Sequence, residues 1–318
     1  MEHRITYIDV SKTICIFLMV VGHWTSNSFL LTYIYSFHMP ALFVLSGMLY
    51  KPRPFLKTCL SFVIPVAFYS MLNLSFLVMV GRIDYSQVLT KDMALRFFHY
   101  RYGLGEGLFM GDWFLWALVA IRLLMGDIHF FDGFRKYYML LLLLIVVYMS
   151  LETHLFSIDT IFRGWYVGRA IPSLPFFCFG LFLKEQKLIP KNVPPKCLFA
   201  MAVVIIIIPL FNGFCSINGN EFGYSYVLFL LNAIVSTLFL FSMSSRIPFI
   251  KPFTTFSKGT LLILGLHIPI LHFLEMVFPS CFREYLPLAV FLICYFPIIW
   301  IEKFCPELLG KVRWKCIT

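Results

Sequence analysis

Charged residues are scarce in this chain. Of its 318 residues, 13% are charged and 60% are hydrophobic, and the mean hydropathy is +0.85. Soluble domains carry about 25% charged residues, so this sequence has too few polar side chains to cover a surface that faces water. The composition therefore excludes an ordinary soluble domain and predicts a protein surrounded largely by lipid.

Two other features are missing. The nine cysteines are scattered without paired spacing, which argues against a disulfide framework or a cysteine metal site. The first apolar stretch is long enough to span a membrane, lacks a small-residue cleavage site, and contains Lys12 and His23. It is therefore not expected to be a removable signal peptide. No metal site is predicted.

Long apolar stretches recur along the whole sequence. A bilayer core of about 30 Å requires about 20 apolar residues per helix. Stretches of that order lie at 11–31, 33–50, 58–81, 109–125, 137–152, 167–183, 196–212, 224–242, 259–279 and 285–302. The longest gap, 82–111, is a loop of the length that often forms binding sites. We expect an all-α integral membrane protein, a polytopic bundle of about ten transmembrane helices that forms one domain over residues 1–318.

The net charge of +10 fits this topology. If the N-terminus is inside and each stretch crosses once, 19 of the 26 Lys and Arg residues lie in inner segments. The seven outside are Arg82, Lys91, Arg96, Arg101, Arg163, Arg169 and Arg283. Because Lys and Arg collect in short cytoplasmic loops, both termini are predicted to be cytoplasmic, and no nucleic acid partner is implied.

The first stretch carries two ionisable residues on one face. Lys12 and His23 are eleven positions apart, which is about 1100° of helical rotation and about 16 Å of rise. This places Lys12 at the cytoplasmic edge and His23 just beyond mid-membrane. Ionisable groups inside membranes are functional candidates. The alternatives are that Lys12 is an edge anchor and that His23 donates to a neighbouring carbonyl.

The second stretch and the segment after it add further candidates. His38 precedes Pro40, so it is either a catalytic residue or the cap of a carbonyl that the proline frees. Lys51, Arg53 and Lys57 follow on the inner side. Three cations beside a helix start suit a phosphate-bearing ligand, and they equally suit a positive-inside anchor.

Polar residues also mark the outer mouth. Asp112 and Glu106 are candidates for binding sugar hydroxyls, and Trp113 is either part of that site or of an interfacial aromatic belt. His267 and His272 lie in the ninth stretch, where a packing role is favoured.

The order of these residues resembles the acyltransferase 3 family. Tyr7-Ile8-Asp9 with Lys12, followed by Val21-Gly22-His23, resembles the family's opening, in which ten positions separate a basic residue from a histidine. Later landmarks follow in family order over nearly the whole chain: Phe37-His38-Met39-Pro40 with Ser46-Gly47, Trp113-Phe114-Leu115, Pro175-Phe176-Phe177 with Gly180, and Leu266-His267. The likeness is closest to the stand-alone branch that includes fucose 4-O-acetylase-like proteins. Lys12 stands where many members have arginine, and Lys51, Arg53 and Lys57 match the family's paired-arginine motif only loosely.

The resemblance implies a multi-pass O-acetyltransferase of the inner (plasma) membrane, with no metal and no appended esterase domain. Its donor would be cytoplasmic acetyl-CoA, and its acceptor a hydroxyl of an envelope polysaccharide or of a lipid-linked precursor. In the site so implied, Lys12, Arg53 and Lys57 bind the donor. His23 is the catalytic base or carries the acetyl group, and His38, Asp112 and Trp113 orient the acceptor.

A different class of protein competes with this interpretation. Transporters and flippases for lipid-linked saccharides also have many spans and buried charges, although many secondary transporters contain internal repeats and none is visible here. A requirement for acetyl-CoA separates the two classes. A glycan polymerase or ligase would be expected to have larger outer loops, and a purely structural membrane protein would not need several buried histidines.

Overall fold

The computed structural model describes residues 6–81, 83–84, 86, 112–127, 138–155, 165–188, 193–248 and 250–312. Most of the loop 82–111, including Glu106, lies outside these residues. The helices are α1 Thr6–Trp24, α2 Ser28–Tyr35, α3 His38–Met48, α4 Phe55–Met79, α5 Asp112–Arg122, α6 Tyr138–Leu155, α7 Ala170–Glu185, α8 Pro195–Asn212, α9 Tyr226–Ser244, α10 Lys251–Lys258, α11 Thr260–Val277 and α12 Leu286–Phe304. A π-helical turn, Leu123–Asp127, extends α5, and 3-10 turns cover Tyr166–Arg169, Ser280–Tyr285 and Pro306–Leu309.

The predicted class, an all-α integral membrane bundle, is confirmed. In the described part of the chain, eight helical stretches are long and apolar enough to cross a membrane. Two shorter apolar helices, Trp113–Gly126 and Leu142–Leu151, lie where the fourth and fifth spans were predicted. Peripheral helices present apolar side chains outward, as on α8, where Phe199 and Phe211 are more than two-thirds exposed. Such side chains suit contact with lipid.

The first helix lies earlier in the chain than predicted. It runs from Thr6 to Trp24 instead of 11–31, so Lys12 is about 9 Å inside its start and His23 is its penultimate residue. Polar groups inside the bundle explain the difference, because Asp9 is buried and accepts hydrogen bonds from Ser257 (2.6 Å) and Thr254 (3.2 Å). A hydrogen-bonded carboxylate can lie inside a membrane helix, whereas hydropathy alone begins this helix after Asp9.

The second predicted span is broken in the middle. The side chain of Asn27 caps the start of α2 by accepting from the Leu30 amide, and α2 ends at Tyr35. The break at positions 36–37 precedes Pro40, which occupies the first turn of α3. A proline is tolerated there because its missing N–H would have no helical acceptor.

Two glycines let α3 and α7 touch through their backbones. A Cβ added at Gly47 would collide with the Phe177 carbonyl, and one added at Gly180 would collide with the Val44 carbonyl. Small residues at such crossings are typical of membrane helix pairs.

A short β-hairpin between α8 and α9 was not predicted. Its strands, Cys215–Ser216 and Glu221–Phe222, pair antiparallel. Asn212 fixes the base of the hairpin, since its amide donates to the Phe222 carbonyl (3.0 Å) and accepts from the Ser225 amide (2.8 Å).

Helix α1 lies at the centre of the bundle. It packs against α3, α9, α10, α11 and α12, and Val10, Cys15, Ile16 and Val20 are almost fully buried. Two polar residues of α1 bind the short helix α10: Asp9 through the hydroxyls already described, and Thr13 through the Phe253 carbonyl (2.9 Å). The central helix therefore determines where α10 places its last residue, Lys258.

Candidate active site

Five helices and the hairpin segment enclose a pocket of about 260 Å³ that contains two histidines. We call it the histidine pocket. Its lining residues are Met19 and His23 of α1, Tyr35 of α2, His38 and Met39 of α3, Trp113 of α5, Leu264 of α11, and Phe214, Ser216, Ile217, Asn218, Gly219 and Glu221 of the hairpin segment. The pocket thus joins residues up to 245 positions apart in sequence, from Met19 to Leu264.

His38 is held in one tautomer by the break between α2 and α3. It is almost fully buried, and its Nδ1 lies 2.6 Å from the Ile34 carbonyl oxygen. A carbonyl only accepts, so Nδ1 carries the hydrogen and Nε2 keeps a lone pair. The carbonyl that His38 caps belongs to Ile34, at the end of α2, and is therefore not one that Pro40 frees.

His23 is in a different situation. Neither of its ring nitrogens is hydrogen-bonded to a protein group in the described part of the chain. Aromatic rings flank it instead: the His267 ring centroid is 5.2 Å away and the Tyr35 centroid 6.3 Å away. Its neighbour Gly22 allows this approach, because a Cβ there would lie only 2.9 Å from the Tyr35 ring. Both nitrogens of His23 are therefore available for chemistry.

Trp24, the residue after His23, anchors this end of α1. Trp24 donates its indole N–H to the Arg283 carbonyl (2.8 Å), and the Arg283 guanidinium lies 5.1 Å from the Trp24 ring. These contacts hold the last turn of α1 against the segment before α12.

A second cavity, of about 240 Å³, contains four cations. We call it the cationic pocket. The cations are Lys12 of α1, Arg53, Arg122 of α5 and Lys258 of α10. Arg122 is 7% exposed and is held by the Lys51 carbonyl (3.0 Å) and the Tyr50 ring (4.9 Å), while Lys258 is paired with Glu302 at 2.7 Å. Four positive groups around one cavity suit an anion with several phosphates.

The two pockets are stacked along the same helices. On α3 the lining changes from Met39 in the histidine pocket to Leu42 in the cationic pocket. On α5 it changes between Trp113 and Phe114, which are neighbours in sequence. Three residues of helix rise about 4.5 Å, so the pockets end within about one turn of each other.

The structure brings together most of the residues predicted for the site. Lys12 and Arg53 share the cationic pocket, and His23, His38 and Trp113 share the histidine pocket. Lys57 is half-buried near the start of α4 and does not line the cationic pocket. Asp112 is the first residue of α5, and its side chain lies outside the described part of the structure.

Several residues of the two pockets were missed in the sequence. Arg122 and Lys258 had been counted only as inner basic residues. Ser216, Asn218 and Glu221 lie in a loop with no motif. The available signal was the cluster of turn-forming residues in 215–220, CSINGN, between two apolar stretches.

Beside the histidine pocket, the structure bears on two kinds of chemistry: thiolate attack by Cys215 and binding of a metal ion. Burial, with a contribution from the negative charge of Glu221, raises the pKa of Cys215 to about 12, so this thiol stays protonated at neutral pH and is not a thiolate nucleophile. Among the described residues, no group of three or more His, Cys, Asp and Glu side chains is arranged to hold a metal ion.

A bundle of apolar helices with a histidine pocket stacked on a cationic pocket defines a multi-pass membrane protein with a polar site inside the bundle. The chain belongs to the acyltransferase 3 family, because the family model, described as an acyltransferase domain, matches residues 5–302. No curated protein and no solved structure gives a significant match. The protein is therefore a membrane acyltransferase, and the family predicted from its motifs is confirmed. Its place in the fucose 4-O-acetylase-like branch stays a prediction.

Proposed function

We propose that the protein is an O-acetyltransferase of the inner (plasma) membrane. It moves an acetyl group from cytoplasmic acetyl-CoA to a hydroxyl of an envelope polysaccharide or of its lipid-linked precursor. The observation that carries this proposal is the stacking of the cationic pocket on the histidine pocket along α1, α3, α5 and α11. A donor with a phosphorylated head and a long thioester arm fits such a pair of cavities.

The cationic pocket is proposed to hold the phosphates of the donor. Lys12, Arg53, Arg122 and Lys258 supply positive charge at that end, and charge-assisted bonds to phosphate are among the stronger hydrogen bonds. The positive-inside distribution of Lys and Arg supports a cytoplasmic position for this end. The pantetheine arm then passes Leu42 and Phe114 toward His23.

In the direct mechanism, His23 acts as a general base. One of its nitrogens takes the proton of the acceptor hydroxyl while the hydroxyl oxygen attacks the thioester carbonyl carbon. The C–O bond forms, the C–S bond breaks, and the departing CoA sulfur takes the proton from the His23 imidazolium. The ester and CoA are then both complete.

In the covalent mechanism, the His23 nitrogen attacks the thioester carbonyl carbon first. The C–S bond breaks, the CoA sulfur takes the N–H proton of the acetylated ring and leaves as the thiol, and a neutral acetyl-imidazole remains. The acceptor hydroxyl then attacks this acetyl group, and its proton returns to the freed imidazole. Both mechanisms require a neutral His23 with an accessible nitrogen, and its position at the pocket wall supports this.

The hairpin and its neighbours are proposed to hold the acceptor. Glu221, Asn218 and Ser216 line the histidine pocket and do not line the cationic pocket. Carboxylate, amide and hydroxyl groups suit sugar hydroxyls. Trp113 and His38 line the same cavity and would orient the acceptor beside His23.

The test follows labelled acetyl from acetyl-CoA into envelope glycan, using membranes that contain the wild-type protein, His23→Ala or His23→Gln at equal expression. We expect label transfer by the wild type and its loss in both variants. Thermal unfolding in detergent checks that the variants are folded. A folded variant that transfers label at the wild-type rate would exclude His23 from the chemistry. Saccharide movement by the wild type without acetyl-CoA would favour the competing flippase.

A further inference from the structure

His267 of α11 is fully buried and has a fixed tautomer. Its Nδ1 lies 3.0 Å from the Ile263 carbonyl and 2.9 Å from the Leu264 carbonyl. Because carbonyl oxygens only accept, Nδ1 carries the ring hydrogen and Nε2 carries a lone pair. The backbone of α11 therefore presents His267 as a hydrogen-bond acceptor.

That acceptor is unused in the described part of the chain. The Nε2 atom of His267 is buried and has no hydrogen-bond partner there. A buried polar atom without a partner is costly, and such an atom calls for an explanation. The His23 ring is 5.2 Å away between centroids, with the two ring planes inclined at 49°. At this separation of the centroids, nitrogens of the two rings that point toward each other lie within hydrogen-bonding distance.

Among the described residues, His23 shows no hydrogen bond to the kind of group that normally orients a histidine base. A general base of this kind has one nitrogen on the substrate and donates its other N–H to an acceptor, usually a carboxylate. No carboxylate is hydrogen-bonded to His23 among the described residues. His38, which has the same tautomer as His267, faces the Tyr35 ring at 5.2 Å.

We propose that His267 is the positioning residue for His23. Its Nε2 accepts the N–H of His23, so that the opposite nitrogen of His23 is unprotonated and aimed into the histidine pocket. This inference rests on the proposed function. When His23 takes the proton of the acceptor hydroxyl, the imidazolium keeps its hydrogen bond to His267, and the transferred proton later leaves with the CoA sulfur. His267 itself gains and loses no proton.

Two substitutions separate this role from a structural one. In His267→Asn the amide N–H can replace the Nδ1 hydrogen bond to the backbone, but the acceptor at the Nε2 position is lost. In His267→Gln the amide oxygen can reach the Nε2 position, but the bond to the backbone is lost. A structural histidine is better replaced by Asn, whereas a positioning histidine is better replaced by Gln.

The experiment measures label transfer from acetyl-CoA to glycan in membranes with the wild type and the two variants. Because a general base contributes about 10²–10⁴-fold, we expect His267→Asn to lower kcat at least about tenfold with little change in the KM for acetyl-CoA. We expect His267→Gln to retain several times more activity than His267→Asn. Equal kcat in the two variants, or higher activity in His267→Asn, would overturn the proposal.

A second measurement does not depend on the acceptor. Diethyl pyrocarbonate modifies the free nitrogen of a neutral histidine, and mass spectrometry of the peptide containing His23 gives the rate. We expect slower modification of His23 in His267→Asn than in His267→Gln. If the wild type transfers no acetyl group but this difference is present, the proposed function fails and the positioning role stands. Equal rates in the two variants count against the positioning role.

Discussion

Asn73 of α4 donates a 2.9 Å hydrogen bond to the carbonyl oxygen of Gly265 in α11. In a regular helix this carbonyl would accept from the amide four residues later, but that residue is Pro269, which has no N–H. A side chain from a neighbouring helix therefore replaces the missing backbone donor. The bond fixes α11 two residues before His267.

We expect Asn73→Ala to destabilise the protein and to reduce acetyl transfer. The substitution leaves a buried carbonyl without a donor, which costs about 1–3 kcal/mol, and it frees the segment that carries His267. Thermal unfolding in detergent measures the first effect and label transfer the second. Met71→Ala is the matched control, because Met71 is on the same helix and is 68% exposed. A loss of stability in the control equal to that of Asn73→Ala would refute the argument.

Arg53→Ala is expected to weaken binding of the donor. Arg53 lines the cationic pocket but is exposed at its rim. A charge-assisted bond contributes about 1.5–3 kcal/mol, and exposure to solvent and salt reduces it. The KM for acetyl-CoA should therefore rise about tenfold, while kcat changes little. Initial rates at varied acetyl-CoA concentration test this.

Two further lysine variants sharpen the Arg53 experiment. Lys196→Ala removes one positive charge from the exposed start of α8, outside the cationic pocket, and controls for a general change in surface charge. Lys57→Ala tests whether Lys57 binds the donor. The sequence predicts that it does so together with Arg53, whereas in the structure Lys57 does not line the cationic pocket. An increase in KM for Lys57→Ala as large as that for Arg53→Ala would restore the interpretation from sequence.

Helical periodicity was enough to relate Lys12 to His23, but it did not give the depth of either residue. Their separation along one face is a local property of the chain. The start of α1 instead depends on hydroxyls of α10, some 245 residues away, which bind Asp9. The positions of Arg122 and Lys258 in the cationic pocket are likewise set by packing between distant helices, which hydropathy does not encode. The landmarks of the acyltransferase 3 family grouped His23, His38 and Trp113, which periodicity could not, but they did not include Arg122 or Lys258.

The contact between α3 and α7 gives a prediction about stability. In Gly47→Ala and Gly180→Ala the added methyl group meets a carbonyl oxygen of the other helix, and backbone atoms cannot move aside as a side chain does. Overpacking of this kind costs about 1–3 kcal/mol or more. We expect lower yields of folded protein and lower unfolding temperatures for both variants, measured by fluorescence-detected gel filtration after heating.

Gly219→Ala is the matched control for these two glycine variants. A Cβ at position 219 would meet only side-chain atoms, at 3.4–3.5 Å, which is ordinary van der Waals contact. Its unfolding temperature should equal that of the wild type. If Gly47→Ala were as stable as Gly219→Ala, the backbone contact between α3 and α7 would not be as close as described.

The hairpin provides the last prediction, which concerns the acceptor. Glu221 lines the histidine pocket, and Asn218 presents a buried side-chain oxygen with no partner among the described residues. Sugar hydroxyls would donate to both groups. We expect Glu221→Gln and Asn218→Ala to raise the KM for the glycan acceptor about three- to tenfold, in line with the loss of one hydrogen bond, and to leave the KM for acetyl-CoA unchanged. Tyr224→Phe is the control, because Tyr224 follows the hairpin, is 77% exposed and does not line the pocket. If the KM for acetyl-CoA rose and the KM for the glycan acceptor did not change, the hairpin would contact the donor. The proposed division of donor and acceptor between the cationic and histidine pockets would then be wrong.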